Sequence, residues 1–140
     1  MIRTRIIPVL LLRNESLVKT IRFEKFIYVG DPANSVRIFN ELEVDELLFL
    51  DIAASYKQQG PNFKILQDIA SECFMPLCYG GGINSLDQAK RIFDTGFEKI
   101  AINTHAITNP KLISEIANIY GSQAVIVSID VKKNLFGKKT

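Results

Sequence analysis

Three consecutive glycines at positions 80–82 are the first candidates for chemistry in the sequence. They follow the apolar residues 76–79 and precede Asn84 and Ser85, where a helix-like segment begins. Glycine has no Cβ, so the backbone N–H groups of such a run can turn toward a ligand without steric penalty. A helix start just behind them adds partial positive charge, which suits an anion such as phosphate. A tight strand-to-helix turn without a ligand explains the glycines equally well, so the rest of the chain must decide.

Apolar runs alternate with segments of helical periodicity along the whole chain. The pattern predicts strands at 6–12, 46–52, 75–79, 99–102 and 124–129, and helices at 32–43, 62–73, 85–95 and from 109 to about 120. Residues 17–29 mix β-branched and aromatic residues with charges, which predicts an extended, hairpin-like loop. Strands that alternate with helices predict right-handed βαβ units and a parallel sheet, here four βα units and a fifth strand.

Polar residues recur directly after the predicted strands, at Asp51, Asn103, Thr104 and Asp130 as well as at the glycines. The carboxyl ends of parallel strands form the ligand-binding edge of an α/β protein, whether its sheet is open or closed. This convergence favours the phosphate site over the plain turn. Asp51 has two explanations, capping of the following loop or contact with a substrate, and we favour the second.

Composition narrows the class of protein. The 140 residues are 47% hydrophobic and 23% charged, with a formal net charge of +2, as in an ordinary globular domain. That charge is too small to indicate nucleic-acid binding. No apolar run approaches the ~20 residues of a membrane span. Cys73 and Cys78 provide neither a disulfide framework nor metal-ligand spacing, so we expect a soluble cytoplasmic protein without a metal or cofactor.

Several segments in order resemble one known family. They are RIIPVL, VGDP, DELLFLDI, YGGGI, KIAINT, NP and YGSQAVIVSID, spread from residue 5 to residue 130. Together they resemble the cyclase subunit of imidazole glycerol phosphate synthase, the HisF family. That family folds as a TIM-type (βα)8 barrel of about 250 residues. The resemblance therefore implies one partial barrel domain over residues 1–140, with units one to four plus strand five, and a fragmentary or truncated product.

The resemblance also implies a reaction. In that family a HisH-type glutaminase partner releases ammonia, which crosses the barrel and reacts with a phosphorylated ribulosyl aminoimidazole substrate. The family's phosphate-binding positions fall here on Gly81, Gly82, Asn103 and Thr104. Its catalytic aspartate after strand five corresponds to Asp130, a suitable general acid or base. Further positions correspond to a substrate-contacting lysine, Lys19, and to the ammonia gate and interface at the opposite face, Arg5, Glu46, Lys99 and Gln123.

One departure affects the chemistry that the resemblance implies. The family's other catalytic aspartate follows strand one, and this chain has Leu11 at that position. The first loop also lacks the family's glycine after Lys19. Both changes resemble a HisF-like branch linked to acetamidino modification of surface-polysaccharide sugars. The alternatives are therefore the histidine-pathway cyclase, this amidinating paralogue, and an inactive half-barrel that self-associates through its open edges.

Other residues have simpler expected roles. Glu46 and Lys99 could form an ordinary surface ion pair unless a glutaminase docks there. His105, the lone histidine, is expected at the surface and is left out of the site. Phe23, Phe26 and Tyr28 are expected to pack the hairpin-like loop rather than to stack on a base.

Overall fold

The structure, a computed structural model, describes residues 3–22, 24–54, 56–57 and 59–131. Strands and helices alternate along most of the chain, as the sequence pattern predicts. In these residues the elements are β1 Val9–Arg13, β2 Ser16–Ile21, β3 Lys25–Gly30, α1 Pro32–Glu41, β4 Leu47–Asp51, α2 Phe63–Glu72, β5 Leu77–Gly80, α3 Leu86–Thr95, β6 Lys99–Ile102, α4 Thr104–Thr108, α5 Lys111–Tyr120 and β7 Val125–Val127.

One sheet contains all of these strands, in the order β3-β2-β1-β4-β5-β6-β7. The neighbours β1, β4, β5, β6 and β7 pair in parallel, which confirms the predicted βα units. The antiparallel strands β2 and β3 form the expected hairpin after β1. The sheet and its helices are those of a partial TIM-type barrel, because the parallel strands lie side by side in chain order and each crossover between them carries a helix.

Register assigns each side chain to one of two faces. Phe49, Tyr79 and Ile100 pair across β4, β5 and β6, and all are almost completely buried in the core against the helices. The alternate row faces the other way, since successive strand residues point to opposite faces. That second row, which we call the concave row, contains Leu11, Leu50, Gly80, Ala101 and Ile126.

Capping residues set the helix boundaries close to the predicted ones. The Asp31 carboxylate accepts from the Asn34 N–H at 3.0 Å, and Pro32 occupies the first helical turn of α1. Ser85 caps α3, and Gly96 ends it in the left-handed region, with φ of 115°. Such a φ costs little only for glycine, which explains why the helix stops there.

The structure differs from the prediction at three elements. The ladder of β1 begins at Val9 rather than Ile6, because Pro8 has no N–H to donate. A short helix, α4, lies between Asn103 and the predicted last helix and was not foreseen. The strand β7 ends at Val127 instead of residue 129. Val127 pairs with Ile102, which is the last residue of β6, the strand next to β7 in the sheet. In the described part of the chain, no helix is long and apolar enough to cross a bilayer.

Candidate functional site

The predicted phosphate-binding residues lie together. Gly81 and Gly82 follow β5, Asn103 and Thr104 follow β6, and all four line one small cleft of about 30 Å³ at the carboxyl edge of the sheet. Two adjacent parallel strands end at this point, so the turns after them meet. The sequence predicted this group from four separate positions, and the tertiary structure brings it into one place.

The two glycines are required by the fold itself. A Cβ on Gly81 would lie 2.6 Å from the Asp51 carbonyl oxygen, and its φ is 138°. A Cβ on Gly82 would lie 2.9 Å from the Ala54 Cβ. Both distances are shorter than real Cβ contacts, so any larger residue would displace the loop after β4. The tight turn and the phosphate site are therefore compatible explanations of the same glycines.

The start of α3 is less accessible to an anion than the glycine run predicts. The Ser85 hydroxyl accepts from the Gln88 N–H at 3.3 Å, and the Gln88 side chain accepts from the Asn84 N–H at 2.9 Å. Backbone donors at this helix start are thus bonded to side chains of the same turn. Thr104 lies at the start of α4 and is exposed, so its hydroxyl is a more accessible donor to an anion.

Asn103 connects the cleft to Asp130. Its side-chain amide donates to the Asp130 carboxylate at 2.9 Å, which bridges the ends of β6 and β7. Asp130 is exposed, and Asn103 is half-buried at the cleft. A hydrogen bond from an amide holds a carboxylate group in one orientation. The amide that the sequence assigned to phosphate thus holds the candidate catalytic carboxylate.

Leu11 lies on the concave row, level with Leu50 and two residues before the end of β1. The position faces the interior of the barrel, where a polar side chain would point toward a ligand on that face. A leucine there can neither transfer a proton nor hold a charge. Among the candidate carboxylates on this edge, Asp130 is therefore without the partner that the resemblance implies.

Asp51 faces the helix side of the sheet, because it pairs with the buried Leu12 and follows Phe49 by two residues. Its Oδ1 accepts from the N–H groups of Ala53 and Ala54, each at 3.0 Å. Burial raises the pKa of this carboxyl, and the two N–H groups and Lys57 oppose the rise. Asp51 thus caps the following loop, and its carboxylate lines a separate cavity rather than the glycine cleft.

Lys19 is exposed in the middle of β2, opposite Ile27 of the neighbouring strand. It lies outside the set of described residues that line the glycine cleft. The structure therefore does not bring Lys19 together with the other predicted substrate residues, and its role stays a prediction.

The gate residues form a compact ionic cluster at the other end of the strands. Glu46 is 2% exposed, and its Oε2 lies 2.7 Å from the Lys99 Nζ and 3.5 Å from the Arg5 guanidinium. An ordinary surface ion pair was the simpler expectation, and it is wrong because the carboxylate is buried. Two cations around one buried anion offset the loss of its hydration.

Cys78 and Gln123 also lie at this end of the sheet. Burial, with a smaller contribution from the Glu46 charge, raises the pKa of the Cys78 thiol to about 12. Gln123 lies in the short turn before β7, where its amide donates to the Tyr120 carbonyl at 3.4 Å. Its recorded bond is thus local to its own turn. The side chain of Gln123 is exposed at the predicted interface face.

His105 is the residue that the sequence reasoning left out and the structure places at the cleft. It is half-buried in α4, the helix that was not foreseen. Its position directly after Thr104 was the available signal. Phe26 packs under the Arg13 guanidinium at 3.8 Å, as expected of the hairpin, whereas Tyr28 is exposed and Phe23 lies outside the described residues.

The residues that the structure describes contain no group of three or more His, Cys, Asp or Glu side chains able to hold a metal ion.

Parallel βα units with polar residues gathered past the strand ends define a protein of the (βα)-barrel class. The family model described as histidine biosynthesis protein matches residues 5–140, so the chain belongs to that family. This finding agrees with the resemblance that the sequence motifs indicated.

Relatives extend the comparison over nearly the whole chain. The chain is 56% identical to "Putative imidazole glycerol phosphate synthase subunit HisF" of Leptospira borgpetersenii, over 99% of this chain and 55% of the relative. It is 53% identical to "Putative imidazole glycerol phosphate synthase subunit hisF2" of Pseudomonas aeruginosa, over 98% and 55%. It is 44% identical to imidazole glycerol phosphate synthase subunit HisF of Chlorobium phaeovibrioides, over 95% and 53%. The chain thus spans about half the length of these relatives.

Proposed function

We propose that this chain forms the amino-terminal half of a HisF-type cyclase barrel. Its substrate is a phosphorylated ribulosyl aminoimidazole, and the nitrogen comes from glutamine-derived ammonia in histidine biosynthesis. The observation that carries the proposal is the cleft shared by Gly81, Gly82, Asn103 and Thr104, with Asp130 hydrogen-bonded to Asn103. A phosphate group and a proton-transferring carboxylate would then lie at one edge of the sheet.

The cleft residues and Asp130 each have a definite task in this proposal. The glycines allow the phosphate to approach the backbone closely, and the Thr104 hydroxyl donates to a phosphate oxygen. Asp130 accepts a proton from the incoming nitrogen and later returns one to the leaving oxygen. Asn103 holds the Asp130 carboxylate in the direction needed for that transfer. Lys19 and Asp51 contribute only if the loops around β2 and β4 rearrange when substrate binds.

The ionic cluster of Arg5, Glu46 and Lys99 would serve as the entrance for ammonia from a HisH-type glutaminase. Two exposed apolar side chains at the same end of the strands support a docking partner there. Leu42 is 64% exposed, just after α1, and Phe74 is 89% exposed, just after α2. The Asn40 side chain accepts from the Phe74 N–H at 3.1 Å, so the two helix ends are held together. The exposed amide of Gln123 would lie at the rim of this interface.

A second candidate function rests on Leu11. The amidinating HisF-like branch keeps the ammonia-channelling scaffold and uses a different acceptor, a surface-polysaccharide sugar. An apolar side chain at position 11, on the concave row, favours an acceptor that does not need two carboxylates. For either reaction we propose a cytoplasmic location, which the unpaired thiols of Cys73 and Cys78 support.

The test is ammonia-dependent turnover of the ribulosyl aminoimidazole substrate by this chain mixed with the carboxyl-terminal half of the Leptospira borgpetersenii relative. The histidine-pathway function predicts turnover that is lost in Thr104→Ala and kept in the matched control Thr95→Ala, whose hydroxyl bonds within α3. Substrate binding without turnover would support the amidinating function instead. Neither binding nor turnover, with a self-associated chain, would support the inactive half-barrel.

A further inference from the structure

A second cavity, of about 240 Å³, lies on the helix face of the sheet, between the ends of β1, β4 and β5 and the start of α2. The apolar side chains of Leu12 and Leu66 contribute to its lining, as do Asp51, Lys57 and Tyr79. One water occupies roughly 30 Å³, so the space is large enough for a small organic molecule. We call it the Tyr79 cavity.

The Tyr79 hydroxyl is a buried donor that a ligand in this cavity would meet. Tyr79 is 1% exposed, and its hydroxyl has no hydrogen-bond partner among the described residues. A buried hydroxyl without a partner is costly, and native proteins rarely retain one. Burial and the nearby Asp51 charge raise the pKa of this phenol, so it stays a neutral O–H donor. The donor needs an acceptor that the described chain does not supply.

The other polar groups around the cavity define the acceptor by its chemistry. The Asp51 carboxylate uses Oδ1 for two N–H groups, and none of the described residues donates a hydrogen bond to Oδ2. Glu15 adds a second carboxylate, and its oxygen accepts from the Asn62 amide at 3.3 Å. The Lys57 ammonium is engaged by the Asn14 side chain.

An anion would meet two carboxylates here against one engaged lysine, so phosphate and carboxylate ligands are disfavoured. An ammonium group could donate to Asp51 but could accept nothing from the Tyr79 hydroxyl. A hydroxyl group does both, because it accepts from the phenol and donates to the carboxylate. A neutral molecule that carries several hydroxyl groups on a carbon skeleton matches both the polar groups and the apolar lining.

We infer that the Tyr79 cavity is a binding site for a small neutral polyol of about pentose size, one hydroxyl of which bridges Tyr79 and Asp51. The site is separate from the glycine cleft, since Tyr79 faces the helices and the cleft lies beyond the ends of β5 and β6. Ligand binding in the cavity would fix the loop after β4, which also contacts Gly81 and Gly82.

The experiment is an NMR titration of this chain with D-ribose, following the backbone amides of Ala53, Ala54 and Asn62. We expect saturable shifts at these amides and a dissociation constant at least tenfold weaker in Tyr79→Phe. That variant removes only the hydroxyl and keeps the edge-on contact between the Tyr79 ring and Phe97. The matched control, Tyr28→Phe, changes an exposed tyrosine and should leave the affinity unchanged.

A second variant tests the volume instead of the hydroxyl. Ala53→Leu places a larger side chain in the cavity lining and should abolish the ribose shifts. The inference is overturned if Tyr79→Phe binds ribose as tightly as the parent chain. It is also overturned if ribose causes no saturable shift of these amides, whether methylammonium or inorganic phosphate shifts them or water alone occupies the cavity. The assay measures no turnover, so its failure would leave the proposed cyclase function unaffected.

Discussion

The two ends of the parallel strands use polar side chains in opposite ways. At the amino-terminal end, Glu46 is buried and held by Lys99 and Arg5, so the charges there satisfy one another. At the carboxyl end, Asp130 and Thr104 are exposed, and the recorded side-chain bond across the strand ends joins Asn103 to Asp130. In the first arrangement the buried charge depends on its partners, whereas the second leaves hydrogen-bonding capacity for a ligand.

The largest expected effect is on stability at the amino-terminal end. Lys99→Met removes the cation nearest to Glu46 and leaves a buried carboxylate with a more distant Arg5. We expect a loss of about 3–5 kcal/mol in the free energy of unfolding, measured by urea titration. Arg37→Met, which breaks an exposed pair with Glu72, is the control and should change stability little. The double variant Glu46→Gln with Lys99→Met should recover most of the loss. A single-variant loss no larger than the control's would contradict the contrast between the two ends.

The carboxyl end should show the reverse pattern, with activity lost and stability kept. Asp130→Asn removes the carboxylate that we propose as the proton acceptor, and we expect kcat of the reconstituted barrel to fall about hundred- to thousandfold. The urea midpoint should stay unchanged, because Asp130 is exposed. Asp94→Asn, an exposed change in α3, is the matched control. Full activity of Asp130→Asn would remove Asp130 from the mechanism.

A smaller effect is expected when only the orientation of that carboxylate is disturbed. Asn103→Ala removes the 2.9 Å bond to Asp130 and should lower kcat roughly tenfold to hundredfold, the range for a hydrogen bond to a charged group. If Asn103 positions Asp130, the pH profile of kcat should shift in this variant. The exposed Asn118→Ala is the control. A change in KM alone would assign Asn103 to phosphate binding instead.

The last expected effect, confined to alkaline pH, is a pH dependence of stability at the amino-terminal end. The Cys78 thiol has a pKa of about 12 in the folded chain, against roughly 8.5 in an unfolded one. The folded state therefore binds the extra proton between these values. Stability should fall as the pH rises from about 8.5 toward about 12, by up to about 1.4 kcal/mol per pH unit.

The measurement is the free energy of unfolding against pH for the parent chain and Cys78→Ala. The variant should show a shallower fall above pH 8.5, because it lacks the titrating thiol, and below that pH the two curves should run parallel. Cys73→Ala provides the comparison: burial also raises the pKa of this half-buried thiol, but less than that of Cys78, so this variant should flatten the fall less. Parallel curves over the whole range would show that Cys78 titrates normally in the folded chain.

Local sequence signals were sufficient for most of the fold. Asp31 with Pro32, Ser85, and Gly96 act through contacts within one helical turn, so their positions predicted the helix boundaries. The short helix α4 was not predicted, because its five residues are too few to show a helical periodicity. Asn109 and Pro110 gave the clearer signal for a helix start in this part of the sequence. The gathering of Gly81, Gly82, Asn103 and Thr104 followed from topology alone, since parallel strands end at a common edge.

By itself, the sequence determined the order of the elements apart from α4, the glycine turn and the identity of the polar residues at each strand end, because these depend on neighbours along the chain. Only the tertiary structure decided that Glu46 is buried, that Asp51 faces the helices and that Asn103 bonds Asp130. Those outcomes depend on strand register, and a shift of one residue would turn each side chain to the other face. Register is set by packing between distant segments, which periodicity within one segment does not specify.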